Sequence, residues 1–156
     1  MAGSDFGPWT IHDSSTETRE ECVGLVAIVT WLIAAMVGIY LLYVWLSGGG
    51  LRQQATKVTR FPTLLIFTHP VLAVSALICW VVYVLTLERI FAWLSFGVLT
   101  ASALLGFTMF TRWLGGGRHA RGAEQRFPVI AVVLHGVAGL TTFVLVLLTA
   151  AIASGA

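Results

Sequence analysis

The sequence predicts an all-α integral membrane protein, a four-helix transmembrane bundle built from two tandem helical hairpins. Apolar residues make up 58 % of the 156-residue chain and charged residues only 10 %, against about 25 % charged in a typical soluble domain. Four apolar runs are each long enough to cross about 30 Å of hydrocarbon as a helix. In addition, one short motif occurs twice, which indicates an internal duplication.

The repeated motif is Arg-Phe-Pro, six residues, and then histidine. It occurs at residues 60–62 with His69 and again at residues 126–128 with His135. Upstream, Gly38 and Gly106 each stand seven residues before a Trp-Leu pair. The period of about 66–68 residues is long enough for one helical hairpin in each copy.

The elements follow in chain order. Residues 1–21 are polar and mainly acidic, and we expect an extracytoplasmic N-terminal segment. Residues 22–156 form the transmembrane domain, with spans expected at about residues 22–46, 62–87, 90–110 and 128–152. The first span lacks charged residues and ends with Tyr40, Tyr43 and Trp45, which suit an aromatic belt at the membrane interface.

Prolines and a short turn set the other spans. Pro62 and Pro128 open the second and fourth, as proline commonly does in a first helical turn. Glu88-Arg89 is a very short turn, so the third span must pack antiparallel to the second.

The basic residues predict the orientation. Seven of the nine Lys and Arg residues fall in the two Gly-rich loops, and positive loops lie in the cytoplasm. The protein is therefore expected in the plasma membrane with both termini outside the cytoplasm, surrounded by membrane lipid and without a nucleic-acid partner.

The histidine pair is the main functional signal. Each histidine lies about 10 Å along its helix from the cytoplasmic end, where an ionisable side chain is costly and needs a partner. The second and fourth spans lie on one diagonal of an up-down bundle, so His69 and His135 can both face the core. The two imidazoles can then take one metal between them.

The ligand count selects the metal. Zinc or copper would require three or four protein ligands, and no further His, Cys, Asp or Glu lies in the spans at this depth. Haem supplies four nitrogens of its own and requires only two axial ligands. The sequence therefore predicts one haem b per chain with His69 and His135 as iron ligands.

Other residues are candidates for contact with this haem. Small residues on the histidine faces would leave room for the macrocycle, and the absence of a side chain at the paired glycines would let the ring approach the backbone. Basic residues in the loops could bind the propionates. The candidate cofactor-binding residues are Gly38, Gly106, Ala73, Gly139, Arg60, Arg126 and Arg112.

Inward-facing histidines on paired membrane helices resemble the b-type membrane cytochromes, including the cytochrome b561-like and respiratory membrane-anchor groups. The resemblance covers the four-span layout and the histidine pair. It implies electron exchange with a quinone or a cytoplasmic partner subunit, rather than a stand-alone enzyme. Those families often carry two haems, whereas this chain has ligands for one. Two alternatives stay open: a cofactor-free accessory subunit of a larger membrane complex, and a small proton or cation transporter.

Overall fold

The computed structural model describes residues 14–55, 61–115 and 122–155. Within these residues the regular structure is entirely helical, with no strand. The elements, in order, are α1 (Ser14–Ser47), α2 (Gly50–Ala55), α3 (Thr63–Thr86), α4 (Arg89–Leu114), a 3₁₀ turn (Ala123–Arg126) and α5 (Val129–Gly155).

Four of these helices are long and apolar enough to cross a membrane, as the sequence predicts. The qualifying stretches are Cys22–Ser47, Thr63–Thr86, Arg89–Leu114 and Val129–Ala153. Only 17–22 % of the residues in their most apolar windows are buried inside the protein. Such extensive exposed apolar surface is compatible with contact to membrane lipid.

The first helix begins before its apolar run. Residues 14–21, expected to belong to a polar N-terminal segment, are helical and continuous with the rest of α1. This stretch is rich in Ser, Thr and Glu, residue types that favour the first turns of a helix. Residues 1–13 lie outside the described residues.

The connection between α3 and α4 is as short as expected, although it lies slightly earlier. It consists of Leu87 and Glu88, and α4 already begins at Arg89. Leu87 adopts a left-handed backbone conformation (φ 58°), and its N–H donates to the carbonyl of Tyr83 at 2.7 Å. This bond closes the end of α3 and turns the chain back, so α3 and α4 pack antiparallel.

The four long helices form a bundle in which α3 packs mainly against α4, and α1 mainly against α5. Contacts between α4 and α5 are fewer, and those between α1 and α3 are fewer still. Consequently α3 and α5 lie on one diagonal, and α1 and α4 on the other. The helices that carry His69 and His135 therefore face each other across the core, as the sequence predicts.

The core has two apolar clusters at different depths. The outer cluster lies in the half that contains the α3–α4 turn and includes Ala27, Trp31, Ala76, Trp80, Tyr83, Ala92, Leu99, Val146 and Ala150. The loop-end cluster lies at the opposite end and comprises Trp45, Phe61, Ile66 and Ala123. Both histidines fall between these clusters along their helices.

Candidate cofactor site

His69 and His135 meet in the core. The centroids of their imidazole rings are 6.0 Å apart, and the ring planes are inclined by 72°. Both residues are partly buried. The bundle thus brings together two residues that are 66 positions apart in the sequence, as expected for spans on one diagonal.

Each histidine donates a hydrogen bond to a backbone carbonyl of the helix beside it. Nδ1 of His69 lies 2.9 Å from the carbonyl oxygen of Ser102 on α4. Nδ1 of His135 lies 2.9 Å from the carbonyl oxygen of Ala34 on α1. A carbonyl oxygen can only accept, so Nδ1 carries the proton in both rings.

The position of this proton leaves Nε2 available. In a neutral imidazole that is protonated at Nδ1, Nε2 carries the free lone pair. No hydrogen bond joins either Nε2 to any of the residues that the structure describes. A metal-bound histidine characteristically donates its other N–H to a backbone carbonyl or carboxylate, and both rings have this arrangement.

Gly38 and Gly106 lie directly against the rings. A Cβ at Gly106 would be 3.0 Å from Cε1 of His69, and a Cβ at Gly38 would be 3.0 Å from Cε1 of His135. Each glycine follows the accepting residue by four positions, and a Cβ on a helix leans towards its N-terminal turn. The missing Cβ therefore uncovers the carbonyl that each histidine uses. We expected these glycines to admit the macrocycle, whereas here the imidazoles occupy the space beside them.

Ser102 makes the two halves of the site unequal. Its hydroxyl donates to the backbone carbonyl of His69 at 3.0 Å and lies 3.1 Å from Nδ1 of the same residue. Because the hydroxyl proton is used by the carbonyl, the oxygen can accept from Nδ1–H as a second partner. At the corresponding place beside His135 stands Ala34, which has no hydroxyl. Sequence reasoning missed both acceptors.

The ring spacing suits one metal ion between the two histidines. Metal–imidazole bonds are about 2.0–2.1 Å long, so one metal bound to both rings holds their two nitrogens about 4 Å apart. The ring centroids, 6.0 Å apart and inclined by 72°, lie close enough for both rings to reach one metal once their Nε2 atoms turn towards each other. Among the described residues no group of three or more His, Cys, Asp and Glu could hold a metal ion. Two imidazoles do fit the axial requirement of haem iron.

The other small residues stand near the histidines in sequence but show no specific role. Ala73 on α3 is partly buried. Gly139 on α5 has open space where a Cβ would be, with no atom within 4 Å. Nothing among the recorded contacts ties either of them to the imidazole pair.

The basic candidates lie at the loop end of the bundle. Arg112 is exposed in the last turn of α4, and Arg126 is exposed at the end of the 3₁₀ turn. Arg60 lies outside the described residues. Arg112 and Arg126 therefore lie at the end of the bundle where α3 and α5, the two histidine-bearing helices, begin.

Trp45 corrects one expectation. We predicted an interfacial belt containing this residue, but it is only 1 % exposed and belongs to the loop-end cluster. Its indole N–H is buried without an acceptor among the described residues. By contrast, Tyr40 and Tyr43 are exposed as expected. Trp45 lies two helical turns beyond Gly38, about 10 Å along the axis, so it places an unpaired donor on the loop side of the histidines.

Aromatic residues and a polar link close the loop end. Phe61 and Phe127, from the two copies of the Arg-Phe-Pro motif, stack with ring centroids 6.1 Å apart. The side chain of Gln53 accepts from the backbone N–H of Ala123 at 2.8 Å, which joins α2 to the 3₁₀ turn. These contacts join the segments that precede α3 and α5 and link α2 to the 3₁₀ turn.

A groove opens towards the side of the bundle between α1 and the beginning of α5. Its volume is about 400 Å³, and its lining is apolar except for one tyrosine. The lining residues are Met36, Val37, Tyr40, Pro128, Ile130, Ala131 and Leu134. Val37 and Leu134 adjoin Gly38 and His135 in sequence, and Pro128 extends the groove towards the loop end.

No protein-family model, curated protein or solved structure matches this chain. The resemblance to b-type cytochromes therefore covers the four-helix layout and the paired histidines, and no further part of the sequence.

Proposed function

We propose that this chain is a haem b-binding membrane protein that exchanges electrons with a quinone or a partner subunit. The observation that supports this function best is the facing histidine pair. Both rings use Nδ1 for a backbone carbonyl, which leaves Nε2 for a metal, and their centroids lie 6.0 Å apart. Haem would supply one-electron iron chemistry.

Several residues of the chain would bind the haem together, each in a different role. His69 and His135 would donate the Nε2 lone pairs, while Gly38 and Gly106 keep the two imidazoles seated on their backbone acceptors. The buried indole N–H groups of Trp45 and Trp80 both lack an acceptor among the described residues. Trp45 is the one on the loop side of the histidines, where it would serve as a donor for a propionate carboxylate. Arg126 and Arg112, together with Arg60, remain the basic candidates for the same role.

The proposed orientation places the basic loops in the cytoplasm and both termini outside the plasma membrane. It rests on the seven positive charges in the two Gly-rich loops. In this orientation the two repeats insert in parallel, and the histidines lie about 10 Å from the cytoplasmic end of their helices. Electrons would then enter and leave near the cytoplasmic leaflet.

The proposed electron partner follows from this depth. The groove between α1 and α5 is lined almost entirely by apolar residues, two of which adjoin Gly38 and His135 in sequence, and it would suit a lipid-soluble quinone. An acidic partner subunit would instead dock on the basic loops, whose positive charge accelerates such an encounter at low ionic strength.

One observation favours an alternative, a cofactor-free accessory subunit. Each histidine already has a backbone partner at Nδ1, which satisfies part of the hydrogen-bonding capacity of a buried imidazole. In that function Nε2 would remain without a metal, and the pair would only connect helices.

Absorption spectroscopy separates the two functions. The purified full-length protein should show a Soret band, and its reduced-minus-oxidised spectrum should show b-type peaks. Replacing His69 or His135 with Ala should abolish the six-coordinate spectrum, because each supplies one of the two axial ligands. His12→Ala and His119→Ala serve as controls and should leave the spectrum unchanged. A full six-coordinate spectrum in His69→Ala would contradict the proposed ligation.

A further inference from the structure

The two histidines are anchored unequally by the helices around them. Both donate from Nδ1 to a backbone carbonyl at 2.9 Å. Only His69 has a second acceptor, the hydroxyl oxygen of Ser102 at 3.1 Å. Ser102 is 1 % exposed, so water does not compete strongly for these bonds.

The Ser102 hydroxyl also fixes the backbone from which the His69 ring projects. It donates to the carbonyl oxygen of His69 at 3.0 Å. The next residue is Pro70, inside α3, which lacks a backbone N–H and so removes the helical hydrogen bond to the carbonyl of Ile66, one turn before His69. A cross-helix bond at this point restrains both the ring and its backbone. Ala34 offers nothing equivalent to His135.

We infer that an iron bound between these residues is held unequally, with His69 as the stronger ligand, His135 as the weaker one, and Ser102 as the positioning residue that causes the difference. This inference rests on the proposed function. An acceptor for Nδ1–H orients a metal-bound imidazole and raises its basicity, and removing such a partner typically weakens metal binding about 10- to 100-fold. One additional acceptor should therefore produce a measurable difference between the two ligands.

The first test measures haem binding to the full chain in detergent. His135→Ala should retain haem as a five-coordinate form. His69→Ala should bind haemin about tenfold more weakly than His135→Ala does. The double variant Ser102→Ala/Ala34→Ser moves the hydroxyl from the His69 half of the site to the His135 half. When each histidine replacement is made in this double variant, the order of the two haemin affinities should reverse. Circular dichroism verifies that each variant keeps its helices.

The second test leaves both histidine ligands in place. Ser102→Ala should shift the haem midpoint potential to a more positive value, because a less basic axial ligand stabilises ferric iron less well. Ser95→Ala is the matched control. Ser95 is also buried on α4 and donates at 2.9 Å to a carbonyl of α3, that of Ala76, but it does not contact either histidine. The control should leave the potential unchanged.

The outcomes distinguish this inference from the proposed function. Equal haemin affinities of the two histidine variants, or equal potentials of Ser102→Ala and Ser95→Ala, would overturn the inference and leave haem binding intact. If His69→Ala does not fold, the midpoint potentials of Ser102→Ala and Ser95→Ala by themselves test the inference. A wild-type protein that binds no haem would overturn the proposed function, and the inference with it.

Discussion

Replacing Gly106 with alanine should show whether this glycine is required by the imidazole beside it. The added Cβ would lie 3.0 Å from Cε1 and 3.5 Å from Nδ1 of His69. To make room, the ring must shift by a few tenths of an ångström, which pulls its Nδ1 away from the carbonyl of Ser102. Gly97 on the same helix is the matched control, because a Cβ there has no neighbour within 4 Å.

The expected magnitudes follow from these two environments. Alanine is more favourable than glycine inside a helix by about 0.5–1 kcal/mol, so Gly97→Ala should stabilise the protein by roughly that amount. At Gly106 the same gain is opposed by overpacking of about 1–3 kcal/mol and by a lost hydrogen bond of about 0.5–1.5 kcal/mol. Gly106→Ala should therefore destabilise the fold, by about 0.5–4 kcal/mol.

Denaturation in detergent micelles, followed by helical circular dichroism, measures this difference without any cofactor. The same preparations give the haem content, which should fall in Gly106→Ala and stay normal in Gly97→Ala. A Gly106→Ala variant at least as stable as Gly97→Ala would refute the reasoning, because it would show that the ring does not need the missing Cβ.

Two further predictions concern orientation and sidedness. In the proposed orientation the seven loop charges lie in the cytoplasm. The native Cys22 of a Cys79→Ala variant should then react with an impermeant thiol reagent in sealed cells, whereas a cysteine at the exposed position Ser47 should not. The opposite labelling pattern would invert the orientation. In the same orientation the histidines would lie about 10 Å from the cytoplasmic end of helices that cross about 30 Å of hydrocarbon. An impermeant reductant should then reduce a bound haem faster in inverted than in right-side-out vesicles. Equal rates from both sides would demand a second electron carrier.

Much of the fold could be predicted from the sequence because the information is local. An uncharged run long enough to span a membrane is almost always a helix, since every backbone polar group in hydrocarbon needs a partner within its own segment. Prolines and a two-residue turn then fix the helix ends to within a few positions. The beginning of α1 was the least predictable boundary, because residues 14–21 are polar and carry no membrane signal.

The histidine pair could also be predicted from the sequence. His69 and His135 recur at equivalent positions of the repeat, and an up-down topology leaves few ways to place them. Their closeness in the structure agrees with this expectation. The identity of a bound cofactor remains a proposal, since two imidazoles define a ligand geometry and not its occupant.

Only the tertiary structure decided which groups surround each imidazole. His69 bonds to α4, and His135 bonds to α1, so each histidine draws its acceptor and its glycine from the other copy of the repeat. The acceptors are backbone carbonyls, which every residue has, and no sequence pattern marks the one that a neighbouring side chain will reach. The burial of Trp45 has a similar cause. Its hydrophobicity suits an interface or a core equally well, and the choice depends on the loop-end residues that pack over it. Composition and periodicity determine which segments become helices, whereas side-chain contacts depend on how those helices are rotated against one another.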